Sequence, residues 1–144
     1  MDIEQAVLDS EALKTATLES ALDCVITMDH EGRVVEFNTA AERTFGYERR
    51  DAVGKELAER IIPPALRQRH REGLRRLQDG GTSEILGKRL ELSGMRADGS
   101  EFRVELTVTG VELPGRRAMF TGFVRDITDR KRAEEASRRL GDIV

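Results

Sequence analysis

The sequence predicts an α+β fold, with helices gathered on one face of an antiparallel five-stranded sheet. Short runs of alternating apolar and polar residues are joined by tight turns rather than by helical crossovers, which favours antiparallel strand pairing. The segments with helical spacing lie together between the second and third of these runs, and one more helix is predicted at each end of the chain. This order places a pocket between the longest helix and the sheet.

Length and composition indicate one domain without a membrane or nucleic-acid function. A chain of 144 residues suits a single core, and its net charge of -3, with acidic and basic residues interleaved, excludes a strongly basic binding face. No apolar run approaches the about 18 residues of a membrane span, and the N-terminus lacks a signal-peptide pattern. Cys24 alone cannot form an internal disulfide. We therefore expect a cytoplasmic protein with no membrane or nucleic-acid partner.

The N-terminal part predicts a helix followed by a hairpin. Strong helix formers dominate residues 2–22, which lack Gly and Pro and carry a weakly apolar stripe, so residues 1–21 are assigned to a flanking helix. Residues 24–28 and 33–37 are rich in β-branched side chains and enclose the turn residues 29–32, which is typical of a hairpin.

The middle of the chain predicts short helices and then one long one. Asn38 stands where an N-cap belongs, and Gly46 ends the helix that follows. Pro63 and Pro64 end the next stretch and permit a new helix, which extends to Gln78.

His70 lies on the buried side of this long helix. The residues that share its stripe are Leu66, Gly73, Leu74 and Leu77. Five arginines occupy the other positions, where solvation is a better explanation than nucleic-acid binding because the domain is not basic. An inward imidazole nitrogen without a partner costs roughly 1 to 3 kcal/mol, so the identity of that partner is the main functional question.

Three further strands are predicted after the long helix, over residues 85–92, 101–111 and 118–124. Even-numbered Leu, Val and Phe residues of the first two point inwards, while their odd-numbered neighbours are mostly polar. The last strand is apolar on both faces, so the N-terminal helix or a second protomer is expected to cover its other side.

The C-terminal segment, residues 129–144, predicts a coiled-coil linker helix. Its apolar residues follow 3-4-3 spacing and form a dimer seam of Ala133, Ala136, Leu140 and Ile143.

Several stretches together resemble the PAS domain family. They are 29–38, 40–47, 54–55, 96–102 and 122–128. The resemblance implies a PAS sensor domain over residues 22–128, a parallel homodimer, and an effector such as a histidine kinase in the same chain or in a partner. It also implies that Asp126, Ile127 and Thr128 form the signal relay between the sheet and the output helix.

A closer resemblance is to the FixL-type haem oxygen-sensor subgroup, carried by Arg69-His70 and by residues 122–126. It implies haem b, with His70 as the proximal iron ligand and a distal wall of Ile85, Leu90, Leu106 and Val108. One departure matters: the arginine with which that subgroup hydrogen-bonds its gas ligand falls at Leu90. The apolar leucine implies weak oxygen affinity or a preference for carbon monoxide or nitric oxide.

The alternative function is a cofactor-free PAS domain that acts only in protein interaction and dimerisation. No Ser/His/Asp, paired-carboxylate or metal-cluster pattern stands out, so the chain is expected not to be an enzyme. The Asn-Cys-Arg motif of flavin photosensors is also missing, and Cys24 is expected to be a small core residue.

Overall fold

The computed structural model describes residues 2–20, 22–79, 86–112, 114–115 and 117–143, with side chains for all of these except 15, 17–20, 142 and 143. The described residues form six helices and five strands. In chain order they are α1 (Ile3–Ser20), β1 (Cys24–Met28), β2 (Val34–Phe37), α2 (Thr39–Phe45), α3 (Arg49–Ala52), α4 (Leu57–Ile61), α5 (Pro64–Gln78), β3 (Arg89–Met95), β4 (Glu101–Val111), β5 (Met119–Asp126) and α6 (Thr128–Ile143).

The strands form one antiparallel sheet in the order β2-β1-β5-β4-β3, which confirms the predicted α+β fold. The last strand is therefore the central one. Helices α2 to α5 all lie in the chain between β2 and β3, and buried side chains of α2, α3 and α4 join the core on one face of the sheet. We call this the inner face, and the opposite one the outer face.

Side-chain alternation along β3 and β4 follows the predicted parity. Leu90 pairs with Leu106 on the inner face, and Leu92 pairs with Val104 there. The intervening position pairs Glu91 with Glu105 on the outer face. Alternating sequence and antiparallel register therefore give this part of the sheet one apolar and one charged side.

The densest packing lies at the α2 end of the inner face. The Phe45 ring lies 6.4 Å from that of Phe37 and 5.5 Å from that of Phe102, measured between centroids. The predicted N-cap is confirmed, because Asn38 Oδ1 accepts a hydrogen bond from the backbone N–H of Ala41. Short helix α2 is thereby fixed against the sheet at both its cap and its buried ring.

The predicted bounds of two strands are wrong. The third strand begins at Arg89 rather than at Ile85, because Gly87 adopts a φ of 77° and Leu86 forms only an isolated parallel bridge to Val108. Ile85 itself lies outside the described residues. The last strand continues to Asp126, two residues further than predicted, because Asp126 still pairs with Val104.

Helix α5 makes a close approach to the β1–β2 turn. Gly32 has a φ of 84°, and a Cβ atom built on it would lie 2.8 Å from Leu74 Cδ2. The side-chain amide of Gln78 also donates a hydrogen bond to the His30 carbonyl. Only glycine suits this turn, both in backbone conformation and in space.

We expect Gly32→Ala to destabilise the fold more than Gly54→Ala does. Both glycines have a φ of 84°, so both substitutions carry the left-handed backbone penalty of about 1 to 2 kcal/mol. A Cβ atom on Gly54 meets nothing within 4 Å, whereas one on Gly32 collides with Leu74. Denaturant unfolding of both variants measures the difference, and equal losses would show that the α5 contact is not tight.

Candidate functional site

His70 lies half-buried on the inward stripe of α5, as predicted. Its Nε2 atom is buried and has no hydrogen-bond partner within the described part of the chain. An unpaired buried nitrogen is costly, and native proteins seldom keep one without a structural or functional reason. The arrangement leaves one imidazole nitrogen available to a ligand.

Burial lowers the pKa of His70, because the charged imidazolium is poorly solvated there. The Glu56 carboxylate acts in the opposite direction to a smaller extent, and the Arg71 guanidinium adds to the lowering. The imidazole is therefore neutral at neutral pH. Neutral imidazole is the form that binds a metal ion.

A shallow pocket of about 180 Å³ opens beside His70. Its lining comes from α5, the β1–β2 turn and Glu56, namely Glu31, Gly32, Glu56, His70, Arg71, Leu74, Arg75 and Gln78. Pockets for drug-sized ligands usually enclose roughly 300 to 1,000 Å³. As it stands, this pocket fits only a small polar molecule.

The predicted distal wall lies elsewhere, on the inner face of the sheet. Leu90, Leu106 and Val108 are half-buried there, but none of them lines the pocket beside His70. The fourth predicted member, Ile85, is outside the described residues. These residues therefore form an apolar strip on the inner face, as the sequence predicted. The strip does not line the pocket beside His70.

The chemistry of His70 fits a haem ligand, whereas the pocket beside it encloses only about 180 Å³. His70 supplies a neutral imidazole whose Nε2 is free of protein partners in the described residues, which is what an axial iron ligand requires. A Cβ atom on Gly73 would meet nothing closer than Arg76 Nη2 at 4.0 Å, so protein packing does not explain this helical glycine. Leu90, which lies on the inner face of the sheet outside this pocket, offers no hydrogen-bond donor from its side chain.

The predicted relay residues meet at the end of β5, and they involve a side chain that sequence reasoning missed. Arg96 Nη2 donates to Asp126 Oδ2 over 3.2 Å, and its Nη1 donates to the Thr44 carbonyl over 2.6 Å. The same guanidinium lies 3.7 Å from the centroid of the Phe102 ring. Arg96 thus connects α2, the core and the β5–α6 junction.

Asp126 also caps the first turn of α6. Its Oδ1 accepts hydrogen bonds from the backbone N–H and the hydroxyl of Thr128. Partial burial alone would raise the pKa of Asp126, but these bonds and the Arg96 guanidinium outweigh it and lower the pKa. Ile127, which lies between Asp126 and Thr128 in sequence, is buried, and its backbone N–H donates to the Arg103 carbonyl.

The predicted dimer seam is exposed. Ala133, Ala136 and Leu140 are all exposed, and Leu140 retains 66% of its accessible surface. Ile143 is the last residue of α6. On the outer face, Phe123 of the central strand is 47% exposed, so this ring is open to solvent.

Comparison with protein families finds a match to the family model described as PAS fold over residues 12–127. A protein from Azorhizobium caulinodans is 44% identical over 133 residues, which cover 92% of this chain and 18% of that protein. The sensor protein FixL of Bradyrhizobium diazoefficiens is 30% identical over 138 residues, covering 96% of this chain and 27% of FixL.

Two further relatives carry functional descriptions. The oxygen sensor protein DosP of Escherichia coli is 28% identical over 123 residues, 85% of this chain and 15% of DosP. The cell-division control histidine kinase PdhS of Brucella ovis is 35% identical over 136 residues, 93% of this chain and 13% of PdhS. The chain therefore spans less than a third of each of these relatives.

Among solved structures, the PAS domain of an HTR-like protein from Haloarcula marismortui superimposes with a TM-score of 0.64 at 22% identity, covering 86% of this chain and 97% of that one. This likeness shows the fold. Within the described residues, no helix combines the length and apolar character needed to cross a membrane.

Because folding lowers the pKa of His70 below its ordinary value of 6.5, acid should destabilise the fold through this residue. Below about pH 6.5, His70 binds a proton in the unfolded chain more readily than in the folded one. The free energy of unfolding therefore decreases as the pH is lowered. We expect His70→Gln to lose less stability than the parent between pH 7.5 and 5.5. Denaturant unfolding measures this, with His30→Gln as the control, and identical slopes for parent and His70→Gln would contradict the burial argument.

Proposed function

This chain belongs to the PAS family, and from that premise we propose that it is the sensory and dimerisation module of a signal-transduction protein. In this proposal a change at the pocket or the sheet is relayed through Asp126, Ile127 and Thr128 to α6. We propose a binding and relay role for the chain, without catalysis, in the cytoplasm. The buried, unpaired Nε2 of His70 is the observation that carries the sensory part.

We propose haem b as the ligand, with His70 as its axial partner. The neutral imidazole, the free Nε2 and the unexplained Gly73 support this proposal. So does the similarity of the chain to FixL and to the oxygen sensor DosP. When bound, the iron would supply a coordination position for a small gas, and Leu90 would favour gases that need no hydrogen-bond donor.

An absorption spectrum of the full chain after haem addition tests this proposal. We expect a haem spectrum for the parent and for His30→Ala, and loss of that spectrum in His70→Ala, because His70 Nε2 is buried without a partner in the described residues, whereas His30 Nε2 lies 3.7 Å from Glu31 Oε1. A parent that stays colourless, or a His70→Ala variant that binds haem as tightly as the parent, would contradict it. Colourless protein that still dimerises would instead support the cofactor-free alternative.

Dimerisation is proposed through the exposed apolar stripe of α6. Helical stripes of this spacing are normally covered by a second helix. If Ala133 occupies the first seam position of a heptad, Arg132 and Arg139 both flank the seam. An antiparallel pair would place Arg132 against Arg139, whereas a parallel pair places Arg132 against Ser137. The charges therefore favour the parallel homodimer.

The effector is proposed to be a histidine kinase, attached to α6 in the same chain or in a partner. PdhS is a histidine kinase, and the present chain matches only 13% of it, which leaves room for an effector in such a protein. Continuation of α6 beyond the sheet gives the relay a direct mechanical connection to whatever follows.

Substituting Ala136→Glu and Leu140→Glu together should convert the dimer into monomers, because four carboxylates would face each other across one seam. Sedimentation measures the change. Arg138→Glu is the matched control, since Arg138 is exposed on the same helix but lies outside the seam. A double variant that sediments like the parent would show that α6 is not the dimer contact.

A further inference from the structure

Two carboxylates face each other across β3 and β4 on the outer face. Glu91 and Glu105 are a direct cross-strand pair, an arrangement that is unfavourable for like charges. Both are bound by the first turn of α6. Arg130 Nη2 lies 2.6 Å from Glu91 Oε1, and Arg130 Nη1 lies 3.1 Å from Glu105 Oε2. Lys131 Nζ lies 2.7 Å from Glu91 Oε2. We call these four residues the carboxylate clamp.

The clamp is an ion-pair network that remains charged at neutral pH. The hydrogen bond that Lys131 donates is the main reason why the pKa of Glu91 is lowered, and the hydrogen bond that Arg130 donates to Glu105 is the main reason why the pKa of Arg130 is raised. Arg130, Lys131 and Glu91 are partly exposed, whereas the Glu105 side chain is only 15% exposed, so salt screens the Glu91 contacts more than the Glu105 contact.

The two clamp glutamates are the sequence neighbours of two leucines whose side chains lie on the inner face of the sheet. Leu90 precedes Glu91, Leu106 follows Glu105, and the two leucines are themselves a cross-strand pair. A sliding or separation of the leucine pair on the inner face must therefore move the carboxylate pair on the outer face, because successive side chains of one strand share one rigid backbone.

We propose that Arg130 is a positioning residue through which the separation of β3 and β4 sets the orientation of α6. This inference rests on the proposed relay function and names a second route for it, apart from the Asp126 cap. Neither strand of the clamp is joined to α6 by the chain, since β5 lies between them in sequence. A guanidinium bridges two strands with fixed fork geometry, so it holds α6 only while both carboxylates stay in register.

Hydrogen exchange of the α6 amides tests the clamp in the full chain. We expect Arg130→Gln to speed exchange over residues 131–135 by about fivefold, the factor that corresponds to loss of a good surface ion pair. Arg130→Lys should show most of this loss, because an ammonium keeps the charge but lacks the rigid fork with which the guanidinium fixes both carboxylates in one geometry. Arg138→Gln is the control, because Arg138 has no ion-pair partner among the described residues. Unchanged exchange in Arg130→Gln would overturn the proposal.

Coupling to the inner face is tested by combining Leu90→Ala with Arg130→Gln. In the parent background, we expect Leu90→Ala to change α6 exchange, because it alters the leucine pair beneath the clamp. In the Arg130→Gln background the same substitution should have little further effect. If Leu90→Ala fails to fold, Leu90→Val replaces it. Equal effects in both backgrounds would show that the signal does not pass through Arg130.

These measurements are separate from those that test the proposed function. Exchange of α6 is read without haem, and sedimentation of each variant reports whether the dimer persists. A protein that stays colourless, but whose α6 exchange is faster in Arg130→Gln, would contradict the haem proposal alone. A protein that binds haem and dimerises, but whose α6 exchange is unchanged by Arg130→Gln, would contradict the clamp proposal alone.

Discussion

The buried amide of Asn38 is the constraint on which the rest of the structure depends. Asn38 is 4% exposed, and its Oδ1 accepts hydrogen bonds from the backbone N–H groups of Val25, over 2.9 Å, and Ala41, over 3.0 Å. Its Nδ2 donates to the Asp23 carbonyl over 3.0 Å. One side chain thus fixes the start of β1, the first turn of α2 and the segment that follows α1. Each backbone group left unpaired there would cost about 1 to 3 kcal/mol.

This constraint also fixes the place where both terminal helices meet the sheet. The Asp23 carboxylate binds Arg125 of β5 through two hydrogen bonds, at 3.1 and 3.0 Å. Cys24 pairs with Val124, so the beginning of β1 lies beside the end of β5. Helix α1 therefore ends, and helix α6 begins, at the same end of two adjacent strands. A distortion of β1 or β5 would therefore displace the residues at which both helices join the sheet.

Local patterns were sufficient to predict most of the fold. The cap at Asn38, the long helix from Pro64 to Gln78 and the parity of β4 each depend on residues close in sequence, and each is present. The start of β3 was wrong because alternation of Leu residues continues through 86–92, whereas the left-handed turn at Gly87 interrupts pairing. Parity reports which face a side chain occupies, but it does not report where pairing begins.

The site was less predictable, because its contacts join distant parts of the chain. The stripe of α5 placed His70 inwards, but only the close approach of Gly32 to Leu74 determines that the β1–β2 turn lines the pocket beside it. Arg96 and Arg130 were missed because their acidic partners lie 25 to 39 positions away, and an exposed arginine carries no periodic signal of its own. Charge pairs across a sheet become visible only when the register is known.

The inner face is divided into a tightly packed half and a half that breaks local rules. The three-phenylalanine cluster and Asn38 lie at the α2 end, where polar groups are satisfied and rings are in contact. In α5, beside the β1–β2 turn, His70 has a nitrogen without a partner in the described residues, and the helical Gly73 costs about 1 kcal/mol without a packing reason. Violations that cluster in one region are typical of functional sites, because the rest of the fold compensates for them. The phenylalanine cluster supplies that compensation. The clamp lies on the outer surface of β3 and β4, at the opposite edge of the sheet from the β1–β2 turn, whereas the Asp126 cap is tied through Arg96 to the packed half. Helix α6 is thus held at one point, through Arg96, by the packed cluster and at another by β3 and β4, and under the proposed clamp a shear between those two strands would act on the second attachment alone.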